Sequence, residues 1–198
     1  MREVVLASTS RTRGALLGNA GVPFTAQPPG VDEDSIKASL RAEGASAAEA
    51  AEALAEVKAL RLSARFHEAL VIGADQMLVC QDHWYDKPQD RAAARRQLLE
   101  LRGQTHQLVT AAVVMLGGQR IWHHVEAAKL TMRPFSEAFL DQYLDQAGAA
   151  VLSSVGAYQL EGLGAQLFSR VEGDHFVILG LPLLPLLDFL RSHGVLTS

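Results

Sequence analysis

Ser8, Arg13, Glu33, Lys58, Asp75, Lys87 and Glu161 are the side chains whose types suit chemistry on a phosphate. Lysine and arginine neutralise phosphate charge. A carboxylate orients or deprotonates water, or helps hold a hard divalent cation. As a set they suit metal-assisted phosphoryl chemistry, provided the fold brings them together. Other chemistries find less support. His123 and His124 are adjacent, so on a strand they point to opposite faces and cannot share a metal. No Cys/His cluster has zinc spacing, and no G-x-G-x-x-G or P-loop pattern occurs. Cys80 sits in an apolar run and reads as core.

The elements that must position these residues start with Leu70-Val71-Ile72-Gly73-Ala74-Asp75-Gln76, an apolar run that ends on a carboxylate. It reads as a buried strand presenting an acid at its carboxyl end, where open α/β sheets bind ligands. Met77 to Cys80 continues it, and Lys87-Pro88 is expected to face the same cleft as Asp75. Before it, Glu3 to Ala7 is a short strand leading through Ser8-Thr9-Ser10 into a helix from Arg11 to Ala20. Hydroxyls at such a junction cap the helix, and its free N–H groups attract phosphate. Arg11 and Arg13 add positive charge there.

Gly30 to Asp34 reads as an acidic turn and Ser35 to Arg41 as a short helix. Ser46-Ala-Ala-Glu49 fits a capping box opening an alanine-rich helix to about Arg65. Leu54, Val57 and Leu60 are expected on its buried face, with Lys58 alongside. Asp90 caps a helix from Arg91 to Arg102, on which Arg91, Arg95 and Arg96 form a solvated face. Gly117-Gly118 joins two strands as a hairpin. Ser136 opens a further helix that Gly148 stops. Ser153 to Gly164 carries three glycines and suits close approach of backbone to a ligand. Leu167 to Val171 and His175 to Leu179 read as short strands, and Gly180-Leu-Pro182 opens the last helix.

The chain has 198 residues, 48% hydrophobic and 20% charged, with a formal net charge of −4. That suits one soluble domain with a sizeable core, and it favours neither nucleic acid nor an anionic membrane as partner. A single cysteine excludes an internal disulfide. No window approaches a membrane span and no leader is apparent, so an intracellular protein is expected.

These motifs, in order along nearly the whole chain, resemble the Maf family of nucleoside triphosphate pyrophosphatases. Leu6-Ala-Ser8-Thr-Ser10 with Arg13 is similar to the family's opening motif, and Val31-Asp32-Glu33 to its acidic turn. Ala55-Glu-Val-Lys58-Ala59 resembles its helix lysine, Gly73-Ala74-Asp75 its central motif and Lys87-Pro88 its lysine-proline. Arg102 to His106, Gly156-Ala-Tyr158-Gln-Leu-Glu161-Gly162 and Gly180-Leu-Pro182 also match.

The resemblance implies an α/β fold with an elongated mixed β-sheet flanked by helices, two lobes and a central cleft, formed by residues 1–198 as a single Maf-like domain. It implies cytoplasmic hydrolysis of a nucleoside triphosphate to the monophosphate and diphosphate, with Mg or Mn as divalent metal and a homodimer as the assembly. Asp75 matches the acceptor that activates water, and Lys87 and Glu33 join it as catalytic positions. Ser8, Arg13, Lys58 and Lys87 match phosphate-binding positions, and Glu33 and Asp75 metal positions. Gln76 and Glu161 resemble the subgroup acting on 7-methylguanosine triphosphate. Thr12 falls at a position linked to specificity, where it and Gly14 depart from the common pattern. The alternative function that the family suggests is nucleotide-dependent control of septum formation without turnover.

Overall fold

The computed structural model describes residues 2–197. Met1 and Ser198, the ends of the expected single domain, lie outside the described residues. The strands are β1 (Val4–Ala7), β2 (Thr25–Gln27), β3 (Leu70–Cys80), β4 (His83–Tyr85), β5 (Thr105–Leu116), β6 (Gln119–Met132) and β7 (Phe168–Glu172). The α-helices are α1 (Arg11–Asn19), α2 (Glu33–Ala42), α3 (Ala47–Ser63), α4 (Arg91–Leu101), α5 (Glu137–Ala147), α6 (His175–Ile178) and α7 (Leu183–Ser192). The strands run in the order β2-β1-β3-β5-β6-β7, and β4 pairs with β3. β1 is parallel to β2 and β3, whereas β3–β4 and β6–β7 are antiparallel, so the sheet is mixed as expected. Among the described residues no helix is long and apolar enough to cross a membrane.

The chain divides into two compact units. The first takes the residues up to Gln76, Val109–Glu126 and the stretch from Asp174 onward, and the second takes Met77–Leu108 and Ala127–Gly173.

In the first unit, alternation along β3 decides what each face meets. Leu70, Ile72 and Ala74 join Val4, Leu6, Leu17, Leu186 and Leu190 in one apolar core. Each fully buried leucine of that set contributes roughly 2 kcal/mol. Val71, Gly73 and Asp75 point the other way, and there α3 packs on the strand. A Cβ on Gly73 would lie 2.0 Å from the Ala55 carbonyl oxygen and 2.8 Å from the Ala59 nitrogen. Only a bare α-carbon permits that approach, and the small Ala50, Ala51, Ala55 and Ala59 form the matching face of α3.

Local signals for caps hold. Ser46 and Glu49 form the capping box, and Ser10, Asp90 and Ser136 cap α1, α4 and α5. Gly117 and Gly118 both have positive φ in the β5–β6 turn.

Other expectations are corrected. Leu60 is 45% exposed, because a step of three residues falls about 60° short of a full turn and drifts off the buried face. The buried stripe is Leu54, Ala55, Lys58, Ala59 and Leu62. Glu33 is not in a loop but in the first turn of α2, whose N-cap is Asp32. His175 to Ile178 is helical rather than extended, since Asp174 Oδ1 accepts from the N–H groups of both Phe176 and Val177.

In the second unit, Leu98, Leu101, Leu140, Tyr143, Leu144 and Tyr158 are buried. Arg95 reaches Asp141 and Glu137, and Arg91 reaches Asp145, so two of the three arginines expected in solvent link α4 to α5. The glycine-containing stretch folds as short 3₁₀ turns, in which Gly156 has φ +77° and a Cβ would collide with Leu78 and Tyr158.

Candidate active site

Asp75 lies in the middle of β3 (Leu70–Cys80) rather than at its carboxyl end, one residue before the first unit's part of the strand stops at Gln76, and it is only 4% exposed. Its Oδ1 accepts from Lys58 Nζ at 2.6 Å. Its Oδ2 is buried and has no hydrogen-bond partner among the described residues. Lys58 Nζ also stands 2.8 Å from Glu33 Oε1. The structure therefore gathers two carboxylates, from a strand and a helix start, around one buried ammonium. The path runs from Gly73, which admits α3, to Lys58 on that helix, to Asp75 two residues beyond the glycine. Lysine is rarely buried without such partners.

Ser8 and Arg13 belong to the same unit. Ala7 pairs with Gly73 in the parallel register, so β1 ends beside the segment of β3 that leads to Asp75. Ser8, also buried, accepts through Oγ from the Ser10 N–H at 3.1 Å, and Ser10 caps α1 by accepting from the Arg13 N–H. Thr12 lies half-buried in the first turn of α1. Arg13 donates through Nε to the Gly180 carbonyl at 2.7 Å. Its η nitrogens have no hydrogen-bond partner among the described residues. Loss of hydration lowers the Arg13 pKa from its ordinary value, while the charges of Asp75 and Glu33 oppose that shift. A free guanidinium fork near a helix start and two carboxylates can hold phosphate oxygens.

Gln76 is half-buried, and its amide nitrogen is engaged internally by Thr110 Oγ1 and the carbonyls of Val177 and Ile178, at 2.9–3.0 Å. Sequence reasoning missed Thr110 and the bond from Arg13 to Gly180. Both depend on residues far apart in the chain, and no local spacing signals them.

Lys87 and Glu161 belong to the second unit. Lys87 is exposed just after β4, and Glu161 is exposed in the turn that follows Tyr158. The loop that carries Glu161 is anchored from below. His106 Nε2 and Tyr158 Oη are 2.7 Å apart and buried, and Ser154 Oγ donates to the Tyr158 carbonyl. Burial pushes His106 down to about 4, so its ring is neutral at neutral pH. Cys80 is buried and desolvation raises its thiol pKa, the opposite of what a nucleophile needs.

The donor set can be tested against a divalent metal. Among the described residues no three His, Cys, Asp or Glu side chains converge. Magnesium needs no such cage, since it uses one or two carboxylates and completes its shell with water and substrate phosphates. Asp75 and Glu33, two carboxylates gathered about one ammonium, fit that requirement.

A buried acid on β3 with one oxygen unpartnered among the described residues, a lysine on α3 and an arginine fork on α1, set in a mixed α/β sheet, define a phosphate-handling class of protein. The family model described as Maf-like protein matches residues 3–193, and the chain belongs to that family. A nucleoside triphosphate pyrophosphatase of Rhodospirillum rubrum is 62% identical over 195 residues, covering 98% of this chain and 96% of its own. A protein of the same description from Paramagnetospirillum magneticum is 62% identical over 192 residues, with 97% and 99% covered. A 7-methyl-GTP pyrophosphatase of Rhizobium meliloti is 47% identical over 195 residues, with 98% of each chain covered.

Proposed function

We propose that this chain is a nucleoside triphosphate pyrophosphatase in which Asp75 activates the attacking water. The observation that carries the reading is the divided carboxylate: Lys58 holds Oδ1, and Oδ2 is buried with no partner among the described residues. Oδ2 takes a proton from water as the water oxygen bonds to the α-phosphorus. The bond from that phosphorus to the α–β bridging oxygen breaks, and diphosphate leaves with the electron pair. The products are the nucleoside monophosphate and diphosphate. Arg13, Ser8 and the start of α1 bind phosphate oxygens, and Lys58 keeps Asp75 and Glu33 in register. Lys87 supplies a further phosphate-binding cation, with Glu33 as the second catalytic carboxylate. Asp75 and Glu33 are the residues that would hold Mg²⁺ or Mn²⁺, which when bound neutralises phosphate charge. The names carried by the Rhodospirillum, Paramagnetospirillum and Rhizobium relatives support this activity.

The substrate we favour is a modified guanine nucleotide, with 7-methyl-GTP first. Glu161 is an exposed carboxylate able to accept from the N–H groups of a guanine edge, and the Rhizobium relative bears that substrate in its name. The protein acts on free nucleotides in the cytoplasm as a homodimer in this proposal, with neither nucleic acid nor membrane as partner. Light scattering behind a sizing column tests the dimer.

The deciding experiment offers a panel of nucleoside triphosphates, 7-methyl-GTP included, with Mg²⁺ or Mn²⁺ and measures diphosphate. Release from at least one, abolished by Asp75→Asn, is expected. No release from any, or full activity in the Asp75→Asn variant, overturns the reading.

A further inference from the structure

We propose that Gln76, together with Thr110, is a positioning residue that couples Asp75 to Arg13 through the short helix α6. The inference rests on the pyrophosphatase reading for its catalytic consequence, although its structural basis stands apart. Gln76 Nε2 lies 3.0 Å from Thr110 Oγ1, 2.9 Å from the Val177 carbonyl and 3.0 Å from the Ile178 carbonyl. Carbonyl oxygens only accept, so the amide must turn its nitrogen toward them, and its two hydrogens are consumed there. That nitrogen has no hydrogen left to offer a nucleobase. Thr110, fully buried, accepts from Gln76 and donates to the Val177 carbonyl at 2.8 Å.

The clamp acts on an element that is weak alone. α6 has four residues, and a helix end leaves carbonyls that need outside donors. Asp174 holds its first amides, and Gln76 with Thr110 holds its last carbonyls. The chain then turns at Gly180, whose φ of +97° suits glycine. A Cβ there would stand 3.4 Å from Arg13 Nε and 3.5 Å from one η nitrogen. The Gly180 carbonyl accepts from Arg13 Nε at 2.7 Å and so fixes where the free fork points. Asp75 and Gln76 are adjacent in β3. One side chain therefore ties the strand that bears the acid to the corner that aims the arginine.

The test compares Thr110→Val, Thr110→Ser and Gln76→Leu with the unaltered protein. Each is assayed for kcat/KM on several nucleotides and for amide hydrogen exchange over residues 175–181. Loss of the clamp is expected to lower kcat/KM about tenfold or more on every nucleotide alike, the scale on which small misplacements reduce rates. Thr110→Ser keeps the hydroxyl and stays within about twofold. In an Arg13→Ala background Gln76→Leu adds less than about a further twofold, because coupled residues are not additive. Exchange over 175–181 quickens in Thr110→Val. A Gln76→Leu effect confined to one base, a full-sized effect in the Arg13→Ala background, or unchanged exchange in both clamp variants overturns the inference. If the unaltered protein releases diphosphate from no nucleotide, the pyrophosphatase reading falls, and exchange alone then decides the clamp.

Discussion

Lys58 and Asp75 form an ion pair at 2.6 Å whose side chains are each only 6% exposed, which makes Lys58 a structural part of the site rather than a surface lysine. Glu33 approaches the same ammonium at 2.8 Å. Removing one member of a buried pair is costly because the other charge stays behind without its partner.

The two members of the pair should therefore fail differently. Asp75→Asn leaves Lys58 paired with Glu33, so the protein is expected to fold while diphosphate release falls by about 10²–10⁴, the scale of general base catalysis. Lys58→Met strands a buried carboxylate and should cost about 3–5 kcal/mol in urea unfolding as well as activity. Equal stability of both variants with the unaltered protein would contradict the buried-pair argument.

Gly73→Ala tests the packing beneath that pair. The added methyl would sit 2.0 Å from the Ala55 carbonyl, and both partners are backbone or held by it. α3 must move away from β3, carrying Lys58 with it. A loss of about 1–3 kcal/mol is expected from overpacking, with activity reduced beyond what the fraction unfolded explains. Parallel unfolding and diphosphate assays check this. A fully active, equally stable Gly73→Ala protein would sink the account of how Lys58 reaches Asp75.

The parts legible in sequence share one property, which is that their signals are local. β3 shows in its apolar run, the capping box in Ser46 and Glu49, and the β5–β6 turn in Gly117-Gly118. Asp75, Lys58 and Glu33 are named by the family resemblance, and the structure brings them together. Burial of Lys58 was not legible, since it depends on Gly73 meeting a separate helix. Nor were the partners of Gln76, which lie on β5 and α6. His175 to Ile178 misled because its apolar pattern fits a strand, and only the double cap by Asp174 turns it into a helix. Leu60 misled because a repeat of three is not the helical period.

Stability should depend on pH through His106. Burial lowers its folded pKa to about 4 against an ordinary value of 6.5. Between those limits the unfolded chain binds the proton and the folded one does not, so acid favours unfolding. The stabilisation is present above pH 6.5, shrinks as pH falls and is gone below about 4. The full swing is about 3 kcal/mol. Tyr158, at 2.7 Å, is the polar group facing the ring, and Phe168 packs beside it. Urea unfolding across pH 4 to 6.5 should show a slope that His106→Phe flattens, whatever that variant's absolute stability. An unchanged slope would show that another group carries the dependence.

Glu33 provides the separable test of the metal proposal. It opens α2 with its side chain 41% exposed, and it shares Lys58 with Asp75. Glu33→Gln keeps the shape and removes one charge. Mg²⁺ and Mn²⁺ are hard cations that prefer charged oxygen donors, so their affinity should fall while the fold persists. A loss of about tenfold or more is expected, since even an outer partner of a metal ligand is worth that much. Mn²⁺ titration followed by electron paramagnetic resonance reads this directly, independent of turnover. Chelation with EDTA should abolish diphosphate release and added Mg²⁺ should restore it. Unchanged Mn²⁺ binding in Glu33→Gln would remove Glu33 from the donor set, and full activity in EDTA would remove the metal from the reaction.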